Sequence, residues 1–226
     1  DSSPLSDTPR PGNAKFKKLT PVDPNSTNPY QLTEADRTVI GNTTPKFSGG
    51  FGLNATYKGF DMSMFFNFMY DFDVLNANKI MLTTWADNKE NNFLMDIASD
   101  KRWRNFDDMG NEIRYSPEVL AEFNKNATMW NPTSIGRPIC MSYAVEDGSF
   151  LRLNSATLGY TLPSVWTKKV GLSKVRFYVS GNNLFTLTGY SGYDPEVNIA
   201  TGLTPNIDYN RYPRSRTYTF GAQLTF

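Results

Sequence analysis

The chain has 226 residues, of which 39% are hydrophobic and 14% aromatic, and its formal net charge is +1. This composition is typical of a folded protein, and the balanced charge excludes the basic surface of a nucleic-acid-binding protein. The sequence has no histidine and one cysteine, Cys140, which excludes Ser-His-Asp catalysis, intrachain disulfides and cysteine-rich metal sites. We therefore expect no metal site and no cofactor.

The first segment, residues 1–45, is rich in Pro, Asn, Asp, Ser and Thr, which predicts a loop region. Within it, residues 19–33 contain one carboxylate, Asp23. The segment lacks the Asp-x-Asp spacing and the glycine of a calcium-binding loop. We expect no calcium there.

An alternating pattern begins near residue 47 and predicts a β-hairpin. Apolar side chains occupy every second position up to Tyr57, Lys58-Gly59 predicts a tight turn, and a second alternating segment runs to Tyr70. Residues 71–148 lose the alternation. Within this long connection, Ser116-Pro117-Glu118 predicts the start of a short helix that ends near Asn124.

Three further strands are predicted at residues 150–160, 175–181 and 217–226, the last being the clearest. Asn182-Asn183 follows the second of these strands and predicts a bulge or turn, because asparagine side chains form local hydrogen bonds with the backbone. Asp194-Pro195-Glu196 predicts a turn or a loop latch and not a catalytic carboxylate pair, because Asp-Pro favours turn initiation.

Long and short connections alternate between the predicted strands, which is typical of outer-membrane β-barrels. This order predicts periplasmic turns near 58–59 and 161–174 and extracellular loops at 71–148 and 187–213, with 1–45 as a further extracellular loop region. No apolar run is long enough for a transmembrane helix. Five strands cannot close a barrel, so we predict an all-β fold formed by the last five strands (46–226) of a large transmembrane antiparallel barrel, within a longer protein.

Two soluble alternatives have the same strand pattern. One is a carbohydrate-binding β-sandwich, whose apolar faces would pack on one another. The other is a surface glycosidase that uses carboxylates such as Asp107 and Asp108. Adjacent carboxylates on one loop rarely lie on opposite sides of a glycosidic bond, so we expect no enzyme.

The final third of the sequence resembles the SusC-like (SusC/RagA) TonB-linked transporters of Bacteroidetes outer membranes. Four segments carry the resemblance: EDGSFLRLN at 146–154, TLGYTLP at 157–163, VRFYVSGNNLF at 175–185 and GYDPE at 192–196. Upstream, ADRTVIGN at 35–42 and YKGFD at 57–61 are similar to the same family, as is the closing segment 209–226.

The resemblance implies a multi-pass importer of oligosaccharides or oligopeptides in the cell outer membrane. It implies contact with outer-membrane lipid, a SusD-like surface lipoprotein as a lid, and energy from the TonB complex through a plug upstream of this segment. Trp85, Trp103 and Trp130 lie in the longest predicted loop and would contact the substrate or the lid, or else pack within the loop. Phe226 resembles the terminal aromatic signal for barrel assembly.

Overall fold

The computed structural model describes residues 11–22, 24–25, 27, 32–84, 92–98, 100–134, 139–197 and 205–226. The strands are β1 Phe47–Tyr57, β2 Phe60–Tyr70, β3 Asp73–Asn76, β4 Val145–Asp147, β5 Phe150–Thr161, β6 Lys174–Thr188, β7 Ile207–Asp208 and β8 Thr217–Thr225. The α-helices are α1 Ala77–Met81, α2 Pro117–Phe123 and α3 Ser164–Thr167. Short 3-10 helices lie at Glu34–Asp36, Met95–Ile97, Pro132–Ser134, Ser142–Ala144 and Lys168–Val170.

The main sheet has five antiparallel strands in the order β1-β2-β5-β6-β8. They are the five strands that the alternating pattern predicts. The β1–β2 connection has two residues, Lys58 and Gly59, with φ angles of 46° and 88°. Positive φ at both central positions is the type I′ geometry, whose twist matches that of the flanking strands. The tight hairpin predicted at this position is confirmed.

Strand β6 is longer than the sequence pattern predicts. It continues from Lys174 to Thr188, whereas the alternation stops near residue 181. The irregularity is a β-bulge, in which Asn183 has a φ of 53° and the register with β5 shifts. The bulge predicted from Asn182-Asn183 is therefore confirmed, but the predicted end of the strand was wrong because the chain keeps pairing beyond it.

A second sheet, in the order β4-β3-β7, was not predicted. Its strands are at most four residues long, too short to show a periodic pattern. Beside it lies an apolar cluster of buried side chains: Phe72, Val74, Phe150, Tyr190 and Val197.

The chain divides into two compact units. One comprises residues 1–40 and 76–144, and the other comprises 41–75 and 145–226 and holds both sheets. In the first unit, α2 confirms the predicted short helix, with Pro117 in its first turn. Ser116 precedes this helix, but its side chain forms no capping hydrogen bond. Among the described residues, no helix is long and apolar enough to cross a membrane.

Candidate functional site

The main sheet has one polar and one apolar face. Directly paired residues of antiparallel strands project to the same side, so the register assigns each strand position to a face. The polar face carries one phenylalanine, Phe65, and otherwise Asn54, Thr56, Asp61, Ser63, Ser155, Thr157, Gly159, Arg176, Tyr178, Ser180, Thr219, Gly221 and Gln223. The apolar face carries Phe51, Leu53, Ala55, Phe60, Met62, Met64, Phe66, Leu158, Tyr160, Phe177, Val179, Phe220 and Leu224.

Most of the apolar face is exposed, although Val175 at one end of β6 is buried. Phe220 is 80% exposed, and Phe60, Leu158 and Phe177 are also exposed. Aromatic side chains on neighbouring strands pack side by side on this face, with ring centroids 4.9 Å apart for Phe51 and Phe66. An apolar face of this extent marks contact with another apolar medium or surface.

An ion pair crosses the polar face between β2 and β6. Arg176 Nε and Nη2 donate to the two carboxylate oxygens of Asp61 at 2.9 and 2.5 Å. The guanidinium lies over Gly159, where an added Cβ would be 2.4 Å from Arg176 Nη2. Gly221 makes room in the same way for the Tyr178 ring, 2.3 Å from an added Cβ. Two glycines of the polar face thus let long side chains lie flat on the sheet.

A bulge in β5 turns Arg152 onto the polar face. Simple alternation would place Arg152 on the same side as Ala156 and Leu158, but the register with β2 shifts at Asn154. Arg152 consequently pairs with Asn67, a polar-face position. Its side chain is 2% exposed.

Arg152 binds the segment that follows β6. Its Nη2 and Nη1 atoms donate to Asp194 Oδ1 and Oδ2 at 2.5 and 3.3 Å, and Glu196 Oε2 lies 3.7 Å from Nη2. The backbone N–H of Glu196 donates to Asp194 Oδ1 at 2.9 Å, which closes a local turn. The loop latch predicted from Asp194-Pro195-Glu196 is therefore confirmed.

Two more contacts hold the same segment, the first buried and the second exposed. Tyr190 OH donates to Asp208 Oδ2 at 2.7 Å, and Ser191 Oγ donates to Glu146 Oε1 at 2.8 Å. Burial raises the pKa of Tyr190, and the Asp208 carboxylate that accepts its hydrogen bond raises it further. The Tyr190 hydroxyl therefore stays protonated through the physiological range and remains a donor.

No protein-family model matches the chain. Among curated proteins, TonB-dependent receptor P3 of Formosa agariphila is 35% identical over 202 residues, which are 87% of this chain and 18% of that protein. TonB-dependent receptor SusC of Bacteroides thetaiotaomicron is 38% identical over 88 residues, covering 37% of this chain and 8% of SusC. The chain is homologous to the SusC-like TonB-dependent receptors. It spans less than a fifth of the length of these curated relatives.

Solved structures agree with this relationship. The chain matches the RagAB peptide importer in the open-open state with a TM-score of 0.60 and 26% identity, covering 90% of this chain and 20% of that one. A structure of the RagAB peptide transporter gives a TM-score of 0.60 and 26% identity over 81% of this chain and 17% of that one. The predicted all-β antiparallel fold is confirmed, and its sheet is similar to part of the RagAB transporter. The curated relatives are named as receptors, and the structural neighbour is named as a peptide transporter.

The structure describes two of the three tryptophans of the longest predicted loop in this SusC-like chain, and Trp85 lies outside the described residues. Trp103 packs against Gly12, where an added Cβ would be 2.3 Å from the indole ring. Trp130 donates to the carbonyl oxygen of Thr83 at 3.3 Å and meets the Tyr143 ring edge-on. Both described tryptophans are half-buried in contacts within their own unit. A role toward substrate or lid stays a prediction.

Asp107 and Asp108, the carboxylates of the enzyme alternative, have structural partners. Asp107 accepts hydrogen bonds from Asn111 and from the backbone N–H of Met109, and these bonds, led by the Asn111 side chain, lower its pKa. Asp108 binds Arg104 at 2.6 Å. Because Asp107 is held ionised in a turn, it is unsuited to act as a general acid.

Two other predicted positions lie near the chain ends. Phe226 follows the last residue of β8 and is 90% exposed; its role in assembly stays a prediction.

Asp23 lies outside the described residues. In the described part of the loop region, Asp36 accepts from the backbone N–H groups of Thr20 and Thr33, which hold its pKa well below its usual range. Asp36 thereby joins two segments of the N-terminal loop region.

The sequence did not identify Arg152, Asp61 with Arg176, or Tyr190 as functional candidates. An arginine at an alternating strand position signals a polar face, so Arg176 could have been found. Arg152 could not, because its face depends on a bulge.

Proposed function

We propose that this chain forms part of the barrel wall of a TonB-dependent importer in the outer membrane, with multiple membrane-spanning strands. The observation that carries the proposal is the two-faced sheet. The apolar face fits contact with lipid, and the polar face fits a water-filled lumen. Homology to TonB-dependent receptors and likeness to RagAB support the same assignment.

Fractionation separates this proposal from the soluble β-sandwich alternative. The full-length protein should remain in the outer-membrane fraction after high-salt washing and require detergent for extraction. Recovery of native protein in the soluble periplasm would contradict the proposal.

The proposed orientation places 1–45, 71–148 and 187–213 outside the cell and the connections near 58–59 and 161–174 in the periplasm. Two glycines offer matched insertion sites for an epitope tag. Gly110 and Gly171 both have positive φ, and an added Cβ at either would meet nothing within 4 Å. A tag at Gly110 should bind antibody on intact cells, and a tag at Gly171 only after permeabilisation. The opposite labelling pattern would show that the chain has the reverse orientation in the membrane.

The proposed partners are a SusD-like surface lipoprotein that acts as a lid and the TonB complex, which would act through an upstream plug. The proposed substrate is an oligosaccharide or an oligopeptide. The likeness to a structure described as a peptide importer supports the peptide class, and homology to SusC supports the presence of a lid. Affinity purification of the tagged receptor should recover a lipoprotein at a one-to-one ratio.

Growth tests the transport proposal directly. Deletion of the gene should abolish growth on one polymer or peptide source while growth on its monomers continues, and the restored gene should rescue it. Trp103→Ala and Trp130→Ala receptors that assemble normally should rescue growth less well if these rings contact substrate or lid. Unchanged growth of the deletion strain on every source would contradict import.

A further inference from the structure

Arg152 is the largest fully buried side chain among the described residues. Removing a guanidinium from water costs free energy that only close, hydrogen-bonded pairing restores. A strand residue on the lumen side of a barrel could instead remain hydrated. The burial of Arg152 therefore requires a structural account.

Among the described residues, both carboxylates that lie within 4 Å of Arg152 belong to the connection between β6 and β8. Asp194 forms two bonds to the guanidinium, and Glu196 lies beyond hydrogen-bond distance at 3.7 Å. Within the described residues, Arg152 Nε has no hydrogen-bond partner. Asp194 therefore provides most of the pairing.

Further contacts hold the part of the same connection that precedes β8. Arg214 Nη2 lies 2.9 Å from Glu196 Oε1, and Tyr190 OH binds Asp208. Arg152 thus holds the connection to β5, and the two further contacts join the part that follows β6 to the part that precedes β8. Three contacts of fixed geometry, each with a charged group, favour one position of the segment over many.

The segment 189–197 is packed as well as ion-paired. Tyr190, Pro195 and Val197 are buried, and Tyr190 and Val197 contact the apolar cluster that includes Phe150. Tyr193, between these anchors, is 84% exposed. The backbone that carries this ring is therefore held on both sides of it.

We propose that Arg152 is a positioning residue that locks segment 189–197 onto the polar face of the main sheet, so that the segment is a fixed wall of the import path and not a movable lid. This inference rests on the proposed function, because it takes the polar face as the lumen side. The bulge at Asn154 contributes to this contact, since it turns Arg152 toward the segment.

Cysteine accessibility in the full-length receptor tests the lock. Val197 is replaced by cysteine in a background that lacks other cysteines, and outer membranes are treated with a water-soluble maleimide. The buried Val197→Cys site should react slowly. Arg152→Met leaves the Asp194 carboxylate without its cation and should accelerate labelling by about two to three orders of magnitude, the size typical of breaking a buried ion pair.

Three further variants make the result specific. Asp194→Asn should accelerate labelling to a similar extent, and Arg152→Met combined with Asp194→Asn should accelerate it by less than the product of the two single effects. Arg152→Lys retains the charge without the two-pronged geometry and should give an intermediate rate. This milder variant also serves if Arg152→Met receptors do not reach the membrane.

A control site separates the lock from general stability. Ile97→Cys, buried in the other unit, should label at the same slow rate in every background. Equal acceleration at both sites, an unchanged rate at Val197→Cys, or multiplicative single effects would overturn the proposal. Labelling requires no substrate, so failure of the lock is distinguishable from failure of import.

Discussion

The hydroxyl of Tyr190 offers a perturbation of a single atom. Tyr190→Phe retains the ring in the apolar cluster and removes only the donor to Asp208, 2.7 Å away. Both residues are buried, so water cannot replace the lost bond without opening the structure. A hydrogen bond to a charged group contributes about 1.5–3 kcal/mol. We expect Tyr190→Phe to lower the free energy of opening of segment 189–197 by that amount.

Hydrogen–deuterium exchange of the purified full-length receptor measures this opening. The loss corresponds to exchange about 10- to 150-fold faster in peptides from segment 189–197. Tyr193→Phe is the matched control, because it removes a hydroxyl from the same segment at a position that is 84% exposed. The control should change exchange by less than about threefold. Equal rates in the two variants would refute the role of the Tyr190–Asp208 bond.

The same bond predicts a dependence on alkaline pH. The pKa of Tyr190 in the folded state is raised above that in the unfolded state by burial and by Asp208. The stabilisation is therefore fully present below the ordinary tyrosine pKa of about 10 and is lost as pH rises toward the folded value. The difference in exchange protection between wild type and Tyr190→Phe should stay constant up to about pH 10 and become smaller above it.

Three other sites give further predictions. Gly59→Ala places a Cβ 2.8 Å from the Thr161 carbonyl oxygen at a φ of 88°, so we expect a loss of about 1–3 kcal/mol in denaturant unfolding, whereas the control Lys58→Gly should be neutral or stabilising. Ionised Asp36 stabilises the loop region above the ordinary pKa of the carboxyl, and this stabilisation is lost as pH falls toward the lowered pKa. Limited proteolysis of residues 11–40 should therefore become faster in acid, and Asp36→Asn should remove this dependence on pH. Phe226→Ala should reduce the heat-modifiable receptor in outer membranes, and Phe226→Tyr should retain the wild-type amount.

The main sheet could be predicted from the sequence because its two faces meet different surroundings. Alternation between apolar and polar side chains along β1, β2 and β8 gives a period of two. The Lys58-Gly59 turn and the Asn182-Asn183 bulge carry local conformational signals of their own. The all-β fold class and the five strands of the main sheet followed from these local features.

The lock around Arg152 could not be predicted, because it depends on register and on distant partners. One extra residue at Asn154 moves Arg152 to the opposite face, and nothing in the alternation marks that position. Its partner Asp194 lies 42 residues away in sequence. The small sheet was missed for a related reason, since strands of two to four residues show no period. The packing of Trp103 on Gly12 is likewise a tertiary contact.

The most direct test of the barrel assignment compares adjacent residues of β8. Thr219 lies on the polar face and Phe220 on the apolar face. In outer membranes of a cysteine-free receptor, Phe220→Cys should react with a lipid-soluble maleimide and resist a water-soluble one, and Thr219→Cys should show the reverse preference. If Phe220→Cys reacts with the water-soluble reagent as fast as Thr219→Cys, the apolar face does not contact lipid and the barrel assignment is wrong.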